Sequence, residues 1–214
     1  MNRRHFIAAG VLAAFTRLSP AGAATAARTP ITILVLGDSL SAEYGLKRGS
    51  GWVALLVQKL KVEKRPVDVV NASISGDTTA GGRSRLAALL ARHKPTHVII
   101  ELGANDALRG LSLQLTETNL NQMTQTSQKA GAQVLLVGMQ VPPNYGQDYT
   151  AQFAALFTNI AKTRKTGLVP FLLKGVADQP DSTRLFQSDR LHPKEEAHPM
   201  ILANVWPELQ KMLK

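Results

Sequence analysis

Short apolar runs and longer amphipathic stretches take turns five times along this chain, and that alternation narrows the fold more than any other feature. Ile31-Thr32-Ile33-Leu34-Val35-Leu36 reads as a buried strand closed by Gly37, and apolar residues at helical spacing follow from Gly51 to Leu60. Val67 to Val70 is a second strand and Gly82 to Arg92 a second helix. His97 to Leu102 is the third strand, and a helix over Leu115 to Lys129 leads to a fourth, Gln133 to Val137. A helix from Gln147 to Thr166 precedes a short fifth strand at Leu168 to Phe171. The last helix spans Lys194 to Leu213, with Pro199 and Pro207 expected to bend or split it, because proline lacks the N–H that a helix interior needs. Such alternation calls for a parallel sheet covered by helices on both faces. Right-handed crossovers leave few topologies, and we expect an α/β, flavodoxin-like three-layer sandwich with a five-stranded parallel sheet in the order 2-1-3-4-5. Ligands of such sheets bind outside the carboxyl ends of the strands, near the point where the order reverses.

The first 27 residues stand apart. Arg3 and Arg4 open the chain, an apolar run covers Phe6 to Phe15, and small-x-small patterns end at Ala23 and Ala26. Basic start, apolar middle and small-residue end describe an export signal, and the apolar run is too short for a permanent membrane helix. Arg3-Arg4-His5-Phe6-Ile7 resembles the twin-arginine type. We therefore expect residues 1–27 to be a signal peptide, residues 28–214 to be one domain, and the product to be periplasmic or secreted. Of 25 lysines and arginines, Arg3, Arg4 and Arg17 lie in that segment, which has no acid; the remaining 22 face 15 acids, a balance of +7. The bases are scattered rather than clustered and no nucleic-acid motif occurs, so a solvated basic surface is expected and no nucleic-acid partner. The absence of cysteine excludes a disulfide framework, cysteine-based zinc sites and a cysteine nucleophile.

Chemistry-bearing residues cluster after the strands. Gly37-Asp38-Ser39-Leu40-Ser41 follows the first, Asn71-Ala72-Ser73-Ile74-Ser75-Gly76-Asp77-Thr78 the second, and Gly103-Ala104-Asn105-Asp106 the third. Asp189-Arg190-Leu191-His192-Pro193 lies in the connection to the last helix. Each is weak alone; their order and their placement after strands make the signal specific. Together the four blocks resemble the SGNH (GDSL) hydrolases, on Ser39, Gly76, Asn105 and His192. Val35 to Leu56, Val70 to Gly82, Ile100 to Gly110, Pro142-Pro143-Asn144-Tyr145-Gly146 and Gln187 to Pro207 are similar to the periplasmic branch of thioesterases, lysophospholipases and arylesterases.

The resemblance implies a serine hydrolase acting on carboxylic esters and thioesters, with no cofactor and no metal. Its partners would be small acyl esters or thioesters, lysophospholipids among them, and the chain would work as a monomer without a permanent membrane anchor. Ser39 would be the nucleophile, His192 the general base and then acid, and Asp189 the group that fixes the imidazole tautomer. A separation of three residues lets one turn place carboxylate and imidazole side by side. The Ser…Asp…His order also occurs in α/β-hydrolases, but Ser39 lacks their Gly-x-Ser-x-Gly elbow. The resemblance assigns the oxyanion hole to the N–H groups of Ser39 and Gly76 and to the Asn105 amide. It points for substrate contacts to a closing loop from Gly76 to Gly82, with Asp77 and Thr78, to Leu108, and to Asn144 and Tyr145. Two departures stand out: Ala104 where relatives often have glycine, and His198 where glutamine is common.

Other residues take bland expectations. Asp38 is expected to order the turn around Ser39, and Asp106 the loop after the third strand. His93, at a helix end, and His97, opening a strand, are expected to be structural. His198 lies six residues after His192, but no ligand pattern completes a metal site. Carbohydrate O-deacetylation on the same machinery and a non-catalytic lipid-binding role remain as alternatives, although the latter would be expected to lose Ser39 or His192. A metal-dependent phosphoesterase would need an early Asp-x-His and a Gly-Asp-x-x-Asp, and the chain has neither.

Overall fold

A computed structural model describes residues 30–214, so the expected signal segment, residues 1–27, lies outside the described residues. Five parallel strands form one sheet: β1 (Ile31–Gly37), β2 (Val67–Asn71), β3 (His97–Glu101), β4 (Gln133–Val137) and β5 (Gly167–Val169), in the order β2-β1-β3-β4-β5. The expected topology is the observed one. Burial explains the order. All five residues of β3 are buried, as is β1 from Ile33 onward, whereas β2 has no fully buried residue and exposes Asp68 and Asn71, as an edge strand can.

Helices α1 (Trp52–Val62) and α6 (His198–Met212) pack on each other over one face of the sheet. The other face carries α2 (Thr79–His93), α4 (Leu113–Lys129) and α5 (Gln147–Arg164), with short α3 (Ala104–Leu108) following β3. Side-chain caps set two starts: Thr78 Oγ1 accepts from Gly81 N–H at 3.3 Å, and Ser112 Oγ from Leu115 N–H at 3.4 Å. The cap at Thr78 moves the start of α2 three residues ahead of expectation. Residues 79–82, expected as part of a closing loop, are therefore helix, and a side chain at Gly82 would meet Leu102 Cδ1 at 2.3 Å.

Pro199 and Pro207 do not split α6. Pro199 sits in the first turn, where its missing N–H has no partner to lose. Pro207 is inside the helix, but it and Ala203, whose carbonyl it leaves free, are both exposed to solvent. Trp52 ties the layers together. Its N–H donates to His198 Nδ1 at 3.0 Å, its indole N–H to Ser41 Oγ at 3.1 Å, and Ser41 in turn donates to Glu101 Oε2 at 2.7 Å. β1, β3, α1 and α6 are thereby locked beneath the carboxyl ends of the central strands.

Candidate active site

β1 and β3 are the neighbours between which the strand order reverses, and the loops after them carry Ser39 and Asn105. Gly37 ends β1 where no side chain fits: a Cβ there would lie 2.8 Å from both Glu101 Oε2 and Ser41 Oγ. The chain then turns. Ser41 and Ala42 N–H both return to the Asp38 carbonyl, at 3.2 and 2.9 Å, and Asp38 Oδ1 accepts from Leu40 N–H at 3.0 Å. Asp38 thus orders the turn, and its second oxygen accepts from Asn105 Nδ2 at 3.0 Å.

Asp189 and His192 stand on one exposed turn. Asp189 Oδ1 accepts the N–H groups of Leu191 (2.9 Å) and His192 (3.0 Å), while Oδ2 meets His192 Nδ1 at 2.7 Å. His192 Nε2 then reaches Ser39 Oγ at 2.9 Å, across 153 residues of sequence. Burial works to raise the Asp189 carboxyl, but the N–H groups of His192 and Leu191 and the imidazole outweigh it and hold the group at about 2. It is therefore a carboxylate throughout the neutral range. The Tyr44 ring covers the imidazole, with centroids 4.3 Å apart.

Gly76 adopts φ +77°, open to glycine at little cost. Its carbonyl accepts from Arg109 Nη2 at 2.7 Å, which joins the loop after β2 to α3. Among the described residues neither the Ser39 N–H nor the Gly76 N–H has a protein acceptor. The Asn105 amide donates to both Asp38 Oδ2 and the Asp77 carbonyl, each at 3.0 Å.

Beside Ser39 and His192 opens a cavity of about 580 Å³. Leu40, Leu108, Met139, Val141, Phe171 and Phe186 give it an apolar wall. Of the expected substrate contacts, Leu108 lines this cavity. Asp77, Thr78, Asn144 and Tyr145 lie outside its lining. The Asp77 carboxylate is engaged by Arg85 Nε and Nη2, at 2.9 and 2.6 Å, and Thr78 caps α2. Asn144 and Tyr145 sit exposed on a 3₁₀ turn, the latter stacked on Tyr149 at 6.2 Å.

Asp106 differs from expectation: it lies in α3, and its carboxylate accepts from Thr79 N–H at 2.8 Å and from the Thr79 and Thr116 hydroxyls. It clamps α2 and α4 rather than ordering a loop. His97 is buried against the Met212 carbonyl and His198 beneath Trp52; burial lowers the pKa of both, as suits neutral structural histidines. Sequence reasoning passed over Glu101, fully buried beneath the site. Burial above all, and then the neighbouring Asp38 charge, pushes its carboxyl well above the ordinary range. Its signal was available: an acid directly after the apolar run Val98-Ile99-Ile100.

The GDSL-like Lipase/Acylhydrolase family model matches residues 35–199. Over 182 residues the chain is 50% identical to Esterase TesA of Pseudomonas aeruginosa, covering 85% of this chain and 89% of that protein. Thioesterase 1/protease 1/lysophospholipase L1 of Escherichia coli is 41% identical over 85% of each chain. A crystal structure of TesA superposes with a TM-score of 0.81 at 50% identity, over 86% of this chain and 99% of that one. With the fold, the ordered blocks and these likenesses in agreement, the chain belongs to the GDSL-like lipase/acylhydrolase (SGNH) family and is an ester hydrolase.

Proposed function

We propose that the chain cleaves carboxylic esters and thioesters through a Ser39–His192–Asp189 triad and an acyl-enzyme intermediate. The observation that carries this reading is the unbroken line of contacts from Asp189 Oδ2 through the imidazole to Ser39 Oγ, at 2.7 and 2.9 Å. His192 Nε2 takes the hydroxyl proton as Ser39 Oγ attacks the acyl carbon. The tetrahedral intermediate collapses when the bond to the alcohol or thiol breaks, and the same Nε2–H protonates the departing atom. Water then repeats the sequence: His192 takes its proton, the acyl carbon passes to water, and Ser39 recovers its hydroxyl. Asp189, ionised at any working pH, keeps the proton of the neutral imidazole on Nδ1 and leaves Nε2 free to accept.

Two unpartnered N–H groups, on Ser39 and Gly76, support a hole for the developing oxyanion, and the Asn105 amide supplies the third donor. At rest both Asn105 N–H groups are occupied, so its contribution arises when the oxyanion competes with the Asp77 carbonyl. The apolar wall of the cavity suits an acyl chain, and a lysophospholipid is within the same chemistry. A fluorophosphonate probe should label Ser39 once per chain and inactivate the enzyme. Labelling and turnover that survive Ser39→Ala would sink the triad. Export through the first 27 residues is part of the proposal: protein recovered from the periplasm should begin between Ala24 and Arg28, and an intact Met1 on a cytosolic product would count against it.

A further inference from the structure

Among the described residues, five non-glycine residues adopt positive φ: Glu43, Lys64, Lys94, Lys165 and Arg190. Lys64, Lys94 and Lys165 close helices at the exposed surface, and Glu43 uses its carboxylate to hold the N–H groups of Gly49 and Gly51 at 2.8 to 3.1 Å. Arg190 does neither. Its φ of +59° is imposed by the turn in which Asp189 Oδ1 collects the N–H groups of Leu191 and His192, a position that glycine fills at least cost. Its guanidinium has no hydrogen-bond or ion-pair partner among the described residues, yet it lines the cavity. Among the described residues it is the only lysine or arginine that does so. The acids lining the cavity are already engaged: Asp38 with Leu40 and Asn105, Asp178 with Gly175 N–H at 2.6 Å.

We propose that Arg190 is a specificity-determining residue that binds a phosphate carried on the alcohol part of the substrate, a few bonds from the ester. This rests on the triad reading, because that reading fixes which part of the substrate faces Arg190. The leaving oxygen must lie within reach of His192 Nε2 to be protonated, so the alcohol sits against the turn that carries both residues. A guanidinium offers five donors in a planar fork matched to phosphate oxygens, and it stays charged at any working pH. Reach selects the substrate. The phosphate of a glycerophosphate headgroup falls beside Arg190, whereas those of coenzyme A lie at the far end of the pantetheine arm. The class favoured is therefore a monoacyl glycerophosphate rather than a neutral ester.

The test compares 1-octanoylglycerol 3-phosphate with 1-octanoylglycerol, both below their micellar concentrations, as a ratio of kcat/KM. In the parent enzyme the ratio should exceed one and fall as sodium chloride is added. Arg190→Gln should lower the ratio about tenfold, the effect of one charge-assisted contact, and Arg190→Lys should recover part of it. Arg184→Gln, an exposed arginine outside the cavity, controls for the loss of one positive charge and should leave the ratio in place. An Arg190→Gln ratio equal to the parent's would overturn the proposal, whether or not both rates fall. A second pair, octanoyl-coenzyme A and octanoyl-pantetheine, separates the sources of phosphate: a tenfold change there instead would overturn the glycerophosphate assignment. The triad stands or falls elsewhere, since Ser39→Ala should abolish hydrolysis of the neutral glyceride whatever the ratio shows.

Discussion

Replacing Asp189 with asparagine isolates the part of the mechanism that the turn geometry controls most tightly. Asp189 Oδ1 accepts two N–H groups, at 2.9 and 3.0 Å. An asparagine that turned its NH₂ toward them would lose both bonds, at about 1 kcal/mol each, and oppose donors to donors. The amide oxygen therefore stays on the backbone side and the NH₂ faces His192 Nδ1. That nitrogen must then accept, which puts the ring proton on Nε2, where it blocks removal of the Ser39 proton. Restoring the productive tautomer costs the bond to the amide and sets donor against donor, roughly 2–3 kcal/mol. Loss of the carboxylate removes a charge-assisted bond to the imidazolium, roughly 1.5–3 kcal/mol before discount. The Asp189 side chain is 37% exposed, so solvent screening trims the second figure toward its lower end. The sum, about 3.5–4.5 kcal/mol, corresponds to a loss of roughly 400- to 2000-fold in kcat with KM nearly constant. Steady-state hydrolysis of a p-nitrophenyl ester reads the rate, and nitrogen NMR of His192 reads the tautomer. A loss below tenfold, or an unchanged Nδ1–H tautomer, would refute the reasoning.

Asn105→Ala should lower kcat about 100- to 1000-fold while leaving the acid limb of the pH profile in place, because an amide does not titrate; a shifted limb in this variant would contradict the role. Burial raises Asp38 to about 6 and Glu101 well above its ordinary range, so the folded protein holds protons that the unfolded chain releases. Their joint contribution to stability grows as pH falls from about 6 toward 4 and is lost as pH rises above it. Glu101→Gln removes one of these groups. In urea denaturation its stability relative to the parent should be higher at pH 8 than at pH 5, and an equal difference at both would show that Glu101 is not the proton-linked group.

Candidate residues that are placed by the backbone immediately around them were legible in the sequence. Ser39, Gly76 and Asn105 each follow a strand, and the apolar runs that predict those strands also predict where the loops must emerge. Asp189 and His192 were legible for the same local reason. What stayed hidden is held by long-range contacts. Glu101 carried a local signal as an acid at a strand end, but its buried bonding through Ser41 to Trp52 joins three separate elements, and no local pattern announces that. The cavity wall joins Leu40, Met139, Phe171 and Phe186, each of which reads from sequence as ordinary core. The start of α2 was missed because Gly81 argues against a helix, and the Thr78 cap with the Asp106 clamp on Thr79 overrides it. Asp106 itself looked like a loop residue because α3, only five residues long, is too short to show periodicity.

Both Asp189 and His192 of the proposed triad ride on a single exposed turn. Asp189 and His192 are bonded within one turn, and that turn is stapled to itself by Gln187 N–H to the His192 carbonyl at 2.8 Å and by Lys194 N–H to the Leu185 carbonyl at 2.8 Å. Its ties to the Ser39 loop are few: Gln187 Nε2 on the Tyr44 carbonyl at 3.0 Å, the Tyr44 ring on the imidazole, and the Nε2–Oγ contact itself. Warming the protein would therefore part the base from the nucleophile well before it parts the base from its carboxylate. Turnover would decline while the histidine still carried the spectroscopic mark of its partner, and Gln187 and Tyr44, neither of which touches the acid, would set the temperature at which that happens.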